Sequence, residues 1–211
     1  MQAIANVYYK YARKVSVLVY LNLLWVLFSC LGLIVLGVSP ATTVLYKLSA
    51  RLINGEEFPL FQTYWTEFKA EFIKANLLIG TMGLSFYVLL VQYQILSLYN
   101  NLYFLVARYI IIGFVFMFLM VTVFILPVFA KYPTASLKDI YKLAFIFSVS
   151  RPVFSVATLI GLTAINWFIL SYLPVVIIFL GVSVNVFAHQ WFVDRKLEKL
   201  TDVSSQVVHG K

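Results

Sequence analysis

Four stretches of the chain contain no charged residue: 15–46, 75–107, 109–130 and 152–193, which are 32, 33, 22 and 42 residues long. No water-facing surface can be built from such runs, whereas a helix rising about 1.5 Å per residue crosses a ~30 Å hydrocarbon core in roughly 20 residues. The 22-residue run therefore makes one crossing. The longest run would make a helix of about 63 Å, twice the core thickness, so it must fold back. Ser171-Tyr172-Leu173-Pro174 marks the place, because Pro cannot donate to a continuing helix and restricts its predecessor. Membrane β-strands would alternate apolar and polar residues over about ten positions, and no such alternation occurs. Charged residues make up 11% of the chain, against about 25% in soluble domains, and a single cysteine cannot staple a secreted fold.

These constraints predict an all-α polytopic membrane protein forming one integral membrane domain. It has about five transmembrane helices, near 16–37, 76–97, 103–130, 153–171 and 174–193, plus amphipathic interfacial helices near 41–53, 59–74 and 137–150. A polar tail, 194–211, follows. Cys30 after Leu27-Phe28-Ser29 faintly resembles a lipoprotein cleavage site, but Phe28 is bulky and 31–38 stays apolar, so a plain membrane helix is expected.

Charge sets the expected sidedness. Five crossings put 39–75, 131–151 and 194–211 on one side with 12 of the 16 Lys and Arg, which makes that side, and the C-terminus, cytoplasmic in a bacterial plasma membrane. The N-terminal tail, with Lys10, Arg13 and Lys14, then lies outside. A re-entrant 16–54 would bring it inside, but would carry Lys47 and Arg51 to mid-depth at ~2.5–3.5 kcal/mol each. Five full crossings are the expectation.

Phe61, Trp65, Phe68 and Phe72 recur at helical spacing behind Pro59, which predicts a helix lying on the membrane, with Glu67, Lys69, Glu71 and Lys74 as a surface for a partner. Residues 137–150 repeat the pattern, with Ser136 and Asp139 spaced as a cap. Within the spans, Asn22, Asn76, Arg108, Asn166, Asn185 and His189 are polar. Their ordinary role is hydrogen bonding between helices; lining a cavity is the alternative. Arg108, about 10 Å along its helix from the Asn100-Asn101 turn, is expected to reach the outer headgroups. Two histidines, one cysteine and no phosphate-cradling loop leave no metal, cofactor or catalytic constellation in view. The net charge of +8 suits anionic lipids at the cytoplasmic face; no nucleic-acid surface is expected.

Leu21-Asn22-Leu23-Leu24-Trp25-Val26-Leu27-Phe28-Ser29, then Gly37-Val38-Ser39-Pro40-Ala41-Thr42, Phe58-Pro59, Phe61, Trp65, Phe68-Lys69 and Lys74-Ala75-Asn76-Leu77-Leu78, resemble the YesL-like family. These are small bacterial membrane proteins of unknown function. The family more often has Leu-Pro where Cys30-Leu31 stands, and Gly-Pro-Ala-Thr at the bend. The resemblance implies about five membrane helices and an association with carbohydrate importers, two-component sensors and glycan-degrading enzymes. It carries no catalytic residues. The bend Gly37, Pro40, Ala41, Thr42 reads as a structural turn, with Ser39 or Thr42 capping the next helix. The functional expectation is a non-enzymatic accessory protein of carbohydrate uptake or sensing, partnered by an importer permease or sensor kinase. An oligomeric channel or small-solute transporter is the alternative.

Overall fold

A computed structural model describes residues 2–99, 101–172 and 181–209. The elements are α1 (Gln2–Leu31), α2 (Val38–Ile53), α3 (Leu60–Ser97), α4 (Leu102–Lys131), α5 (Leu137–Ser150), α6 (Pro152–Tyr172) and α7 (Val182–His209). Among the described residues there is no strand. Four segments are long and apolar enough to cross a membrane: Ala12–Leu31, Leu60–Ser97, Leu102–Lys131 and Pro152–Tyr172. The chain is thus an all-α polytopic membrane protein. The expected fold-back at Leu173-Pro174, and the start of a fifth span at 174, lie outside the described residues.

The first span ends at Leu31 rather than 37, and 32–37 form a tight reversal. Leu33 and Ile34 take φ of 56° and 61°, a left-handed conformation that costs a non-glycine residue energy and must be held by its surroundings. Gly32 and Gly37 permit it. A Cβ on Gly37 would lie 2.3 Å from the Ser29 carbonyl oxygen, and one on Gly32 would lie 2.3 Å from the Gly37 Cα. Asn76 on α3 clamps the reversal by donating to the Leu36 carbonyl at 2.9 Å.

The helix that follows corrects the expectation of an interfacial 41–53. In α2, Ser39, Pro40, Ala41 and every residue from Thr43 to Ser49 are buried, and the helix touches α1, α3, α4 and α7. It returns beside α1, so that Arg13, at the start of the first span, meets Glu57 just beyond α2 at 2.7 Å. Residues 16–54 therefore form a helical hairpin that begins and ends at one end of the molecule. This is the arrangement that the cost of burying Lys47 had spoken against.

The expected break between 74 and 76 is absent as well. Lys74-Ala75-Asn76-Leu77 holds no helix breaker, and Ala75 is buried with its carbonyl accepting from Ser39 Oγ at 2.8 Å. The result is one 38-residue helix, about 57 Å long. Its aromatic stripe does not lie on a membrane surface but closes on α1. Phe28 stacks on Tyr64 at 4.9 Å and meets Phe68 at 5.0 Å and Trp65 at 5.6 Å.

Helix α5 starts as expected, with Ser136 Oγ accepting from the Asp139 N–H. It does not lie across the end of the bundle, however. Ser148 Oγ donates to the carbonyl of Met120, about 16 Å up α4 from Lys131, so α5 climbs along α4. The reason is that its second half is apolar on both its inner and outer faces: Ala144 and Phe147 are buried while Phe145, Ile146 and Val149 are exposed. Ser150 is the one exposed polar residue there, too little to make a water-facing side.

The hairpin makes an accessibility prediction. In a Cys30→Ser background, Ala12→Cys and Asn54→Cys should both react with a membrane-impermeant maleimide from the same side of sealed vesicles. Labelling from opposite sides would exclude the hairpin.

Candidate functional site

The return arm α2 carries a cation into the protein. Lys47 is 8% exposed; its Nζ lies 2.5 Å from Glu71 Oε1 and 2.9 Å from Glu67 Oε2. Both carboxylates come from one face of α3, four residues apart. The Phe129 ring of α4 faces the same ammonium at 5.7 Å. Lys74 sits over that ring at 4.7 Å and donates to the carbonyls of Pro133 and Ala135 at 2.9 and 3.0 Å, tying α3 to the α4–α5 turn. Lys131 and Asp194 pair at 3.6 Å, and Gln190 donates to the same Asp194 carboxylate at 3.1 Å. Lys47, Arg51, Glu67, Lys131 and Asp194 line a cleft of about 360 Å³ at this end.

This geometry revises the expected partner surface. Of Glu67, Lys69, Glu71 and Lys74, only Lys69 is exposed, resting over the Trp65 ring at 4.7 Å. Glu71 is buried, Glu67 is turned inward to Lys47, and Lys74 serves the α4–α5 turn. The outward stripe of α3 is instead Trp65, Lys69 and Ile73, spaced by four residues.

The polar residues of the spans do not form one group. Each closes on a different helix, and α7 is the common partner. Asn22 Oδ1 accepts from the Ser183 N–H at 2.9 Å, Asn185 donates to Asn166 Oδ1 at 3.3 Å, and the Tyr46 hydroxyl meets His189 Nδ1 at 2.8 Å. Thus α7 is stitched to α1, α6 and α2 in turn. Bonds of this kind are worth about 0.6 kcal/mol each in membrane helices, and they fix register more than they add stability. His189 Nε2 is buried and makes no hydrogen bond. Arg108, expected to reach outward, is half-buried with its Nε shielded and unpartnered.

The bend residues do more than turn the chain. Helix α2 has Gly37 as its N-cap with no side-chain cap, so Ser39 and Thr42 lie inside the helix rather than capping it. Thr42 Oγ1 accepts from the Trp25 indole N–H at 2.9 Å, locking the two arms, while Ala41 offers its carbonyl to the Tyr64 hydroxyl at 2.8 Å. Pro40 sits in the first turn of α2, where a missing N–H costs nothing.

Sequence reasoning did not place Lys47, Tyr46 or Ser183 in this centre. Lys47 had a signal: one cation amid apolar residues, followed by two carboxylates spaced for one helix face. Ser183 had none, since its contribution is a backbone N–H.

Removing the central cation should be severe. Lys47→Met strands the buried Glu71 carboxylate and should lower stability by about 3–5 kcal/mol. Adding Glu71→Gln should recover a large part, because the remaining partner, Glu67, reaches solvent. Thermal unfolding of the detergent-solubilised protein reads both, and equal losses for the single and double variants would contradict the pairing.

Residues 18–93 match a family described as "Protein of unknown function, DUF624". The chain is 32% identical over 185 residues to the uncharacterized protein YteU of Bacillus subtilis (strain 168), covering 86% of this chain and 81% of that protein. It is 25% identical to the uncharacterized protein YesL of the same strain, covering 86% and 85%, and 27% identical to the uncharacterized protein YesV, covering 84% and 85%. No solved structure matches.

Proposed function

The chain belongs to the DUF624 family, whose function is unknown, and is related to YteU and YesL; from that premise we propose that it acts without catalysis, as an accessory protein of a carbohydrate uptake or sensing system in the bacterial plasma membrane. The observation that carries this reading is the use made of the intramembrane polar groups. Asn22, Asn166, Asn185 and His189 are spent on three separate helix contacts along α7, which is how a scaffold uses such residues, whereas a solute path would gather them around one water-filled space. The carbohydrate connection comes from the family resemblance described above.

The charged end is the cytoplasmic one in this proposal. With the α1–α2 hairpin closed, Arg13 and Lys14 join Lys47, Arg51, Lys69, Lys74, Lys131 and Lys138 at one end, Arg151 follows the climbing α5 away from it, and Arg108 stands opposite. The N-terminus and C-terminus then share the cytoplasm, and anionic headgroups gather around that end. The face offered to an importer permease or sensor kinase is the α3 stripe, where Trp65 is 40% exposed and Ile73 is 80% exposed on either side of Lys69. A half-exposed tryptophan beside a cation is the kind of anchor that dominates protein interfaces.

Co-purification from mild detergent should recover such a permease or kinase. Lys69→Glu combined with Ile73→Ser, both at exposed positions, should cut the yield of partner about ten-fold, while melting temperature changes little. Recovery of a homogeneous chain without either partner class would sink the proposal.

Arg108 favours a second reading, an oligomeric channel or small-solute transporter, because its unpartnered Nε is shielded on a membrane helix. Purified protein in liposomes should then pass sugars or ions, and Arg108→Ala should abolish the flux. Under the accessory reading, neither wild type nor variant conducts.

A further inference from the structure

A cavity of about 980 Å³ opens between residues 12–18 of α1, the segment joining α2 to α3, and α7. Its size falls in the range of sites that hold small organic ligands. Its floor is apolar, formed by Leu18 of α1, Leu52 of α2, Phe58 of the following segment, Leu60 of α3 and Phe187 of α7. Its rim is charged and divided by sign. Arg13 and Lys14 stand on the α1 wall, and Glu56 and Glu57 stand on the wall opposite.

Depth fixes what can reach such a site. Arg13 and Lys14 immediately precede the uncharged run that starts at 15, so the rim lies where water gives way to hydrocarbon and the floor lies within the first turns of the span. A soluble metabolite would leave the apolar floor bare. A lipid places its phosphate at the rim and its acyl chain on the floor.

The division of charge then selects the headgroup. A phosphate on the α1 wall finds two cations, of which Lys14 makes no ion pair among the described residues. Arg13 bridges the mouth to Glu57 at 2.7 Å, but with both side chains about 70% exposed, at 69% and 73%, this is a weak surface pair that a ligand can open. Glu56, held by Arg51 at 2.8 Å, keeps its carboxylate on the opposite rim. A headgroup ending in a carboxylate would meet repulsion there, and a neutral glycerol tip brings no positive charge to the carboxylates. A quaternary ammonium has no hydrogen to donate, whereas a primary ammonium offers three donors.

We propose that this cavity is a binding site for a phospholipid with a primary ammonium headgroup, phosphatidylethanolamine, with its phosphate on Arg13 and Lys14, its ammonium on Glu56 and Glu57, and the start of one acyl chain on Leu18, Phe58 and Phe187. The site is separate from the general attraction of anionic lipids to the charged end, and it stands whether or not the accessory role does.

The test presents the full-length protein in micelles with equimolar phosphatidylethanolamine, phosphatidylcholine and phosphatidylglycerol of identical acyl chains, and counts retained lipids by native mass spectrometry. Phosphatidylethanolamine should exceed each competitor by ~5-fold or more, as one or two charge-assisted hydrogen bonds would give. Glu57→Gln and Lys14→Ala, both at exposed positions, should each lower its retention by ~3-fold or more, whereas Lys138→Ala, exposed and outside the cavity, should not. Equal retention of phosphatidylcholine, preference for phosphatidylglycerol, or full retention in Glu57→Gln would each overturn the assignment.

Discussion

The arrangement of the bundle depends on one buried cation being neutralised. Helix α2 could not occupy the interior unless Lys47 found counter-charges there, because an isolated ammonium in a low-dielectric site is costly by several kcal/mol. Glu67 and Glu71 supply them from a single face of α3, and Phe129 adds its ring. Once that cluster is formed, α2 is committed to the middle, and α1, α3, α4 and α7 arrange themselves around it. Such a cluster adds little to stability over an apolar core of the same shape. What it contributes is a single admissible register for α2 against α3.

Two further devices turn that register into a fold. The reversal between α1 and α2 brings backbone so close that Gly32 and Gly37 leave no room for a side chain, and Asn76 holds its last carbonyl from α3. Helix α3, unbroken over 38 residues, is the beam on which everything else is mounted. Its first half packs Tyr64 and Phe68 against Phe28 of α1, and its second half pairs with α4 through Phe86 on Phe118. On the far side, α7 is joined to three helices by single polar contacts, so each intramembrane Asn or His has a neighbour to account for it.

Function follows from how the two ends differ. One end gathers ion pairs, an open charged cleft and an amphipathic cavity. The other is nearly bare of charge, with Arg108 as its one cation among the described residues. A protein so built has its chemistry of recognition concentrated where headgroups and cytoplasmic partners meet, while its spans serve mainly to hold that end together. Lipid in the α1 cavity and a partner on the Trp65 face would be neighbours, since Leu60 in the cavity wall and Trp65 lie five residues apart on α3.

The uncharged runs by themselves determined that this polypeptide is helical and membrane-embedded, because backbone polar groups in hydrocarbon must be satisfied within each segment. The ends of α4, α5 and α6 were legible to within a residue or two from Asn101, Ser136 and Pro152, all local signals. Gly37 was legible as part of a turn, whereas Gly32 was not, and Asn22, Asn166, Asn185 and His189 were legible as polar groups needing partners, but not which partners. Only the tertiary structure decided that 41–53 lies inside the bundle rather than on a surface. Hydropathy charges the full cost of a buried lysine to the helix that bears it, and the compensating carboxylates lie 20 and 24 residues away on another helix. The same limit hid the continuity of α3 and the inward turn of Glu67 and Glu71: a local pattern records what a helix can bury, and the three-dimensional neighbours determine against what.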